Sequence, residues 1–427
     1  MRLRTVLVMG LASMMIASSA EADTPALNSG DTAWVLAATC LVIMMTVPGL
    51  ALFYGGMVRK KNVLATLMQS FAACALVTLV WVAAGHSLAF SGDAPMIGEF
   101  SNIFLKNMTK DGLAPNTSIP ETVYMAFQMS FAIITPAVIC GAFADRMKFS
   151  ALLWFMGAWI LVVYAPVAHW VWGGGFLAKM GFADFAGGSV VELNSGIAGL
   201  VACLMIGKRV GFPQEAMIPH NLILSVTGAG LLWVGWLGFN GGSALAANGL
   251  AAAALINTQL AGAAAALMWM FIEWYRHGKP STLGIISGAV AGLVAITPSC
   301  GFVSPLGAIV VGIIASAACF YFATAVKRRF GYDDSLDVFG VHGVGGIVGL
   351  IGNGLFAEKA WGGISGLIEG NAPQLLIQIE GIIAVAAWCG LCTFGVLKAI
   401  DTTIGLRVTR EQEIEGLDYA LHGEVVQ

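Results

Sequence analysis

Long apolar runs separated by short polar breaks set the pattern of this chain. Eleven of them fall at approximately 33–57, 64–90, 121–143, 150–171, 188–207, 219–239, 251–274, 281–300, 304–326, 338–357 and 375–400. A helix needs about 20 such residues to cross the roughly 30 Å hydrocarbon core of a bilayer. The expected fold class is therefore an all-α integral membrane protein with 11 transmembrane helices. The first residues read differently. Arg2 and Arg4 precede a shorter apolar stretch from Thr5 to Ala17, and Ala20-Glu21-Ala22 offers small residues for cleavage. Residues 1–22 are thus expected to be a signal peptide, cut after Ala22 with Ala20 as the alternative. The remainder divides into a transmembrane domain, 23–401, and a charged tail, 402–427.

Basic residues orient the bundle. Twelve follow odd-numbered runs: Arg59, Lys60, Lys61, Arg146, Lys148, Lys208, Arg209, Arg276, Lys279, Lys327, Arg328 and Arg329. Only Lys106, Lys110, Lys179 and Lys359 follow even-numbered ones. The positive-inside rule places the first group in the cytoplasm, so the mature N-terminus lies outside and the tail inside.

Composition agrees with this class and removes others. Only 11% of residues are charged and 58% are hydrophobic, against about 25% charged in soluble domains. A net charge of −3 provides no basic face for nucleic acid. The eight cysteines fall in or beside apolar runs and read as small buried hydrophobes; Cys389 and Cys392 lack a second ligand pair for a metal. With no P-loop, zinc-protease motif or nucleophile elbow, neither an enzyme nor ATP-driven transport is indicated, and no cofactor is expected.

A repeat is written into the spacing. Glu192 to Leu200 matches His342 to Leu350 at an offset of 150 residues, and Asp184 and Asp334 precede each copy by eight. The copies lie on runs five and ten. An offset of five spans inverts topology, which gives two inverted five-helix repeats plus an eleventh helix, with a site near the midplane. Eight residues of helix rise about 12 Å, so Glu192 and His342 should meet at similar depth from opposite sides. A fainter echo relates Phe53-Tyr-Gly-Gly56 to Phe239-Asn-Gly-Gly242.

Ionisable groups at such depth are costly and mark conduits. Glu192 and His342 together are read as a polar element of a permeation path. Asp184 has two readings, as a helix cap or as a source of negative potential for a cation vestibule. Phe127 and Phe131 share one helical face, either as packing or as ring faces for a cation near Trp172. Gln378 and Glu380 are expected to bond neighbouring helices. His86 and His169 are expected to be ordinary interfacial residues, and Asp145-Arg146 to lie at an inner helix end.

Several longer motifs then carry a resemblance. They are Pro48 to Arg59, Ala126-Phe-Gln-Met-Ser-Phe131, His169-Trp-Val-Trp-Gly-Gly-Gly175, Asp184 to Gly188, Gly235 to Asn240 with Ser243, and Asp337 to Gly343. In this order they resemble the ammonium transporter, methylammonium permease and Rhesus protein superfamily, and bacterial ammonium transporters most. The resemblance implies a homotrimer in the cell inner membrane with one narrow pore per subunit. It implies an outer site for ammonium or methylammonium at Trp172, Phe131 and Ser243, supported by Asp184. Phe131 and Phe239 would stack as a gate, with Trp236 along the inner path. His342 matches the second of the family's two pore histidines. Glu192 stands where most bacterial members carry the first, as in some fungal permeases. Glu415 to Glu424 resembles the family's tail motif, which implies packing on cytoplasmic loops and docking of a PII-type protein. Two alternatives remain: a sensor acting through such a partner, and a Rhesus-like channel for neutral ammonia or carbon dioxide.

Overall fold

The computed structural model describes residues 26–426; the expected signal peptide lies outside them. Among the described residues, ten helices are long and apolar enough to cross a membrane. In chain order they are α1 (Ser29–Met57), α2 (Lys60–Phe90), α3 (Glu121–Phe143), α4 (Phe149–Met180, broken by the turn at Trp172–Gly175), α5 (Gly188–Ile206), α6 (Leu222–Gly242) and α7 (Gly249–His277). After the shorter α8 (Thr282–Ile296) come α9 (Pro305–Phe330), α10 (Phe339–Phe356) and α11 (Ala372–Thr403). Every expected run is therefore helical, but α8 is short of the expected 281–300. Its 15 residues rise about 22 Å. From Gly288 to Ile296 it is buried, and protein surroundings tolerate the irregular backbone that follows it.

The bundle is apolar on its outside. Leu79, Trp154, Ile223 and Leu391 are all more than 60% exposed along helix faces. Polar side chains such as Asn240, Asn257, Thr258, Gln378 and Glu192 are buried instead. Lipid imposes this arrangement, because each polar group among apolar neighbours must find its partner within the protein.

The repeat seen in the sequence has a structural counterpart. Both Gly188–Leu193 and Phe339–Gly343 are π-helical turns, wider than the α-helices that continue them. Each is capped by the aspartate before it. Asp184 accepts from the N–H groups of Gly187, Gly188 and Ser189, and Asp334 from those of Val338 and Phe339. Beyond the turns, α5 and α10 touch backbone to backbone. A Cβ on Gly196 would lie 2.1 Å from the Gly343 Cα, and one on Gly346 2.9 Å from the Leu193 nitrogen. Gly196 and Gly346 are again 150 apart. Small residues at such crossings let two helices approach closely.

We call the two ends outer and inner, following the expected orientation. At the inner end the tail is packed onto the bundle. Val408 N–H donates to the Arg146 carbonyl, and Glu413 accepts from Val210 N–H and the Arg407 guanidinium. The first turn of α2 then shares a reciprocal cap with the tail. Asp418 accepts from Leu64 and Ala65 N–H, while Asn62 accepts from Leu417 N–H. Arg146, expected merely at a helix end, is buried and donates to the carbonyls of Ala142, Ala144, Gly207 and Asp333 and to the Ser335 hydroxyl. Beside it Arg209 grips the Asp333 carboxylate. Burial pushes the Asp333 carboxyl up, but the hydrogen bonds and charge of Arg209, with Arg146, outweigh it and hold the group below its usual range.

The α5–α10 crossing is open to direct test. Gly196→Ala should destabilise the fold by about 1–3 kcal/mol, the cost of forcing an extra methyl group into a packed core, and so lower the thermal unfolding midpoint in detergent. Gly157→Ala, on α4 with open space around it, should leave the midpoint unchanged. Equal midpoints for all three proteins would refute the close crossing.

Candidate functional site

Two vestibules adjoin a narrow segment between them. The outer vestibule, about 370 Å³, is lined by Tyr124, Phe127, Gln128, Phe131, Trp172 and Ser243 among others. Phe127 and Phe131 meet edge to face at 4.9 Å, and Phe131 meets Trp172 at 6.0 Å. Three aromatic rings therefore share one concave wall, and the electron-rich face of such a ring attracts a small cation. The Ser243 hydroxyl donates to the Phe239 carbonyl at 2.9 Å. Its proton is thus engaged and its lone pairs are free to accept from an N–H donor.

Beneath this wall the space narrows. Phe131 and Phe239 stack with centroids 4.0 Å apart and planes 26° from parallel. Past them lies a segment lined by Phe53, Trp236, Phe239, Glu192 and His342 with aliphatic neighbours. Its free volume is about 10 Å³, the threshold for holding about one water. Trp236 is fixed by its indole N–H, which donates to the Thr297 hydroxyl at 2.8 Å. His342 and Phe53 also line the inner vestibule, about 320 Å³, whose mouth carries Arg209, Glu215, Lys327 and Asp337.

Glu192 and His342 meet in the narrow segment. His342 Nδ1 and Glu192 Oε2 are 2.7 Å apart, and both side chains are buried. With the carboxylate ionised, Nδ1–H donates to it, and the second ring nitrogen is left to accept a proton. Neither group alone suits this apolar position; joined, each supplies what the other lacks. Their protonation is one coupled equilibrium.

Most of the residues singled out in the sequence come together here. Trp172, Phe127, Phe131 and Ser243 share the outer vestibule, and Phe239, Trp236, Glu192 and His342 the segment below it. Asp184 stands apart. Its carboxylate takes three backbone N–H groups and the Ser189 hydroxyl, all within 2.8 Å, and it is absent from the vestibule wall. Its link to the site is its own carbonyl, which accepts the Trp172 indole N–H at 3.0 Å. Phe53 was not singled out for the path, although its echo of Phe239 was the signal for it. Tyr124 and Gln128 gave no signal beyond lying one turn from Phe127 and Phe131.

Three side expectations are corrected. His86 and His169 are buried rather than interfacial. The ring of His169 bridges the carbonyls of Ala89 and Ala94. Gln378 does join helices, through Ala183 and Leu350, but Glu380 is exposed on the face of α11.

Comparison with known proteins settles the family. The model of the Ammonium Transporter Family matches residues 33–427. This chain belongs to the ammonium transporter family. Among its relatives, the ammonium transporter of Aquifex aeolicus (strain VF5) is 50% identical over 99% of both chains. That of Bacillus subtilis (strain 168) is 48% identical over 93% of this chain and 98% of its own. The crystal structure of Saccharomyces cerevisiae Mep2 superposes with a TM-score of 0.84 at 35% identity, covering 90% of this chain and 89% of that one. This ammonium transporter family member is accordingly a multi-pass membrane protein. Its relatives are named for transport rather than catalysis.

The geometry around Asp184 makes a prediction. Charge-assisted hydrogen bonds contribute about 1.5–3 kcal/mol each, so Asp184→Ala should lower the thermal midpoint strongly. Asp184→Asn, which keeps one acceptor oxygen, should lower it less. An unchanged midpoint for Asp184→Ala would show that the caps are not holding the turn.

Proposed function

We propose that this protein carries ammonium from the outer side to the cytoplasm. The observation that carries the reading is the alignment of an aromatic outer vestibule, a stacked phenylalanine pair and a Glu192–His342 hydrogen bond along one path. Ammonium is recruited at Trp172 and Phe131 by cation–π attraction, each ring contributing about 0.5–2 kcal/mol, while the Ser243 oxygen accepts one N–H. Asp184 serves the site by holding the loop that carries the partner of the Trp172 indole.

Stripping the cation of water is the main cost of the passage below. The closed Phe131–Phe239 stack and the volume of the narrow segment favour passage of ammonia with its proton handled separately. Glu192 and His342 are the groups able to hold that proton. Two neutral histidines in those positions could share one proton but form no ion pair; a carboxylate with an imidazole can do both. Glu192 therefore keeps the conduit while altering its proton coupling or pH dependence.

The wider organisation follows the same reading. Residues 1–22 are removed on export, eleven helices cross the inner membrane with the N-terminus outside, and two inverted halves face each other across Glu192 and His342. Three copies assemble, each with its own pore. The tail, already seated on the inner loops, offers a surface to a PII-type regulatory protein.

Uptake of labelled methylammonium in cells lacking their own carrier tests transport. The native chain should restore saturable uptake. Trp172→Ala should raise the half-saturating concentration by about 2- to 30-fold, the equivalent of the cation–π contribution. No uptake by well-expressed native protein would refute the proposal.

A further inference from the structure

Behind the outer vestibule, where α2, α3 and α4 meet, lies a group of polar atoms that the transport path does not use. Trp81 centres on it, with ring centroids 5.9 Å from His86, 5.8 Å from Tyr164 and 6.2 Å from Phe90. Phe90 in turn contacts His86 at 5.4 Å and Tyr124 at 5.2 Å. Tyr124 accepts from the Gln128 amide at 3.4 Å. All are one continuous cluster. Trp81 and Tyr164 are fully buried, and His86 and Gln128 are more than nine-tenths buried.

Five of its polar atoms have no protein partner: Trp81 Nε1, both ring nitrogens of His86, the Tyr164 hydroxyl and Gln128 Oε1. Buried polar atoms in folded proteins are nearly always paired, with protein or with ordered water. One orphan can be an accident of local geometry. Here five fall within one ring-to-ring cluster drawn from three helices. Their chemistry is also complementary. The indole only donates, the amide oxygen only accepts, and the hydroxyl and imidazole do both. A buried water joins about three such groups.

We propose that this cluster is a hydrated side pocket, holding ordered water between Trp81, His86, Tyr164 and Gln128. Gln128 and Tyr124 also line the outer vestibule, so they form a shared wall. Water held there braces the Gln128 amide. It also places hydrogen-bonding capacity next to the wall where a cation gives up its hydration shell, a consequence that rests on the outer-site reading above. The pocket itself does not depend on that reading.

X-ray hydroxyl-radical footprinting of the detergent-solubilised full protein reads bound water directly, because radicals made from it oxidise the side chains it touches. Trp159 is the internal control: it is also fully buried, but its indole N–H donates to Thr393. Trp81 should be oxidised several-fold faster than Trp159. The His86→Phe protein removes two of the five orphans and should lose that excess; Tyr164→Phe serves if His86→Phe does not fold. Equally slow oxidation of Trp81 and Trp159 overturns the pocket, and so does an undiminished Trp81 rate in the folded variant.

Discussion

A carboxylate and an imidazole held 2.7 Å apart in the interior of an apolar bundle constrain the rest of this structure. Unpaired, a charged group at the bilayer centre costs about 2.5–3.5 kcal/mol on insertion scales. Paired, the two groups satisfy one another, provided that their helices approach from opposite halves of the chain at the same depth. That requirement explains the crossing of α5 and α10 through Gly196 and Gly346, where any side chain would separate the backbones. It also accounts for the π-helical turns, whose wider ladder re-aims the residues they carry. The aspartate caps then anchor both turns. Remove the caps or the glycines and the pair loses its register.

The same economy governs the two ends. At the outer end, Asp184 spends its charge on backbone N–H groups and acts on Trp172 through a carbonyl. A carboxylate so fully occupied acts as a scaffold for the proposed cation site rather than as its ligand. At the inner end, Arg146, Arg209 and Asp333 gather loops from three parts of the chain, and the tail completes the first turn of α2 with Asp418. Both ends are therefore held by charged groups bonded to protein: Asp184 is absent from the outer wall, and Arg209 grips Asp333 at the rim of the inner vestibule. Between them the proposed path is left to aromatic rings, one hydroxyl and the Glu192–His342 pair.

Much of this was legible in the sequence because its signals are local or periodic. Apolar runs gave the helices, and the offset of 150 residues paired Glu192 with His342 before any contact was known. Where the sequence misled, tertiary packing had decided the outcome. His86 and His169 lie near run ends, which suggested an interface, but neighbouring helices cover them. Asp184 had two readings that differ only in what its oxygens face. The π-helical turns leave no compositional trace, since the same residues support α-helix. Nor could the cap that joins Asn62 to Leu417 and Asp418 be read from segments about 350 positions apart.

In the proposed mechanism the Glu192–His342 pair both lines the path and sets its proton handling. Ammonium-driven currents on a lipid-supported membrane, recorded across pH at matched protein amounts for the native protein and Glu192→His, test it most directly. If the pair governs proton handling, the variant conducts but with a pH profile displaced from the native one, because an imidazole has replaced the carboxylate in the coupled equilibrium. Superimposable profiles would show that the pair does not set the proton handling.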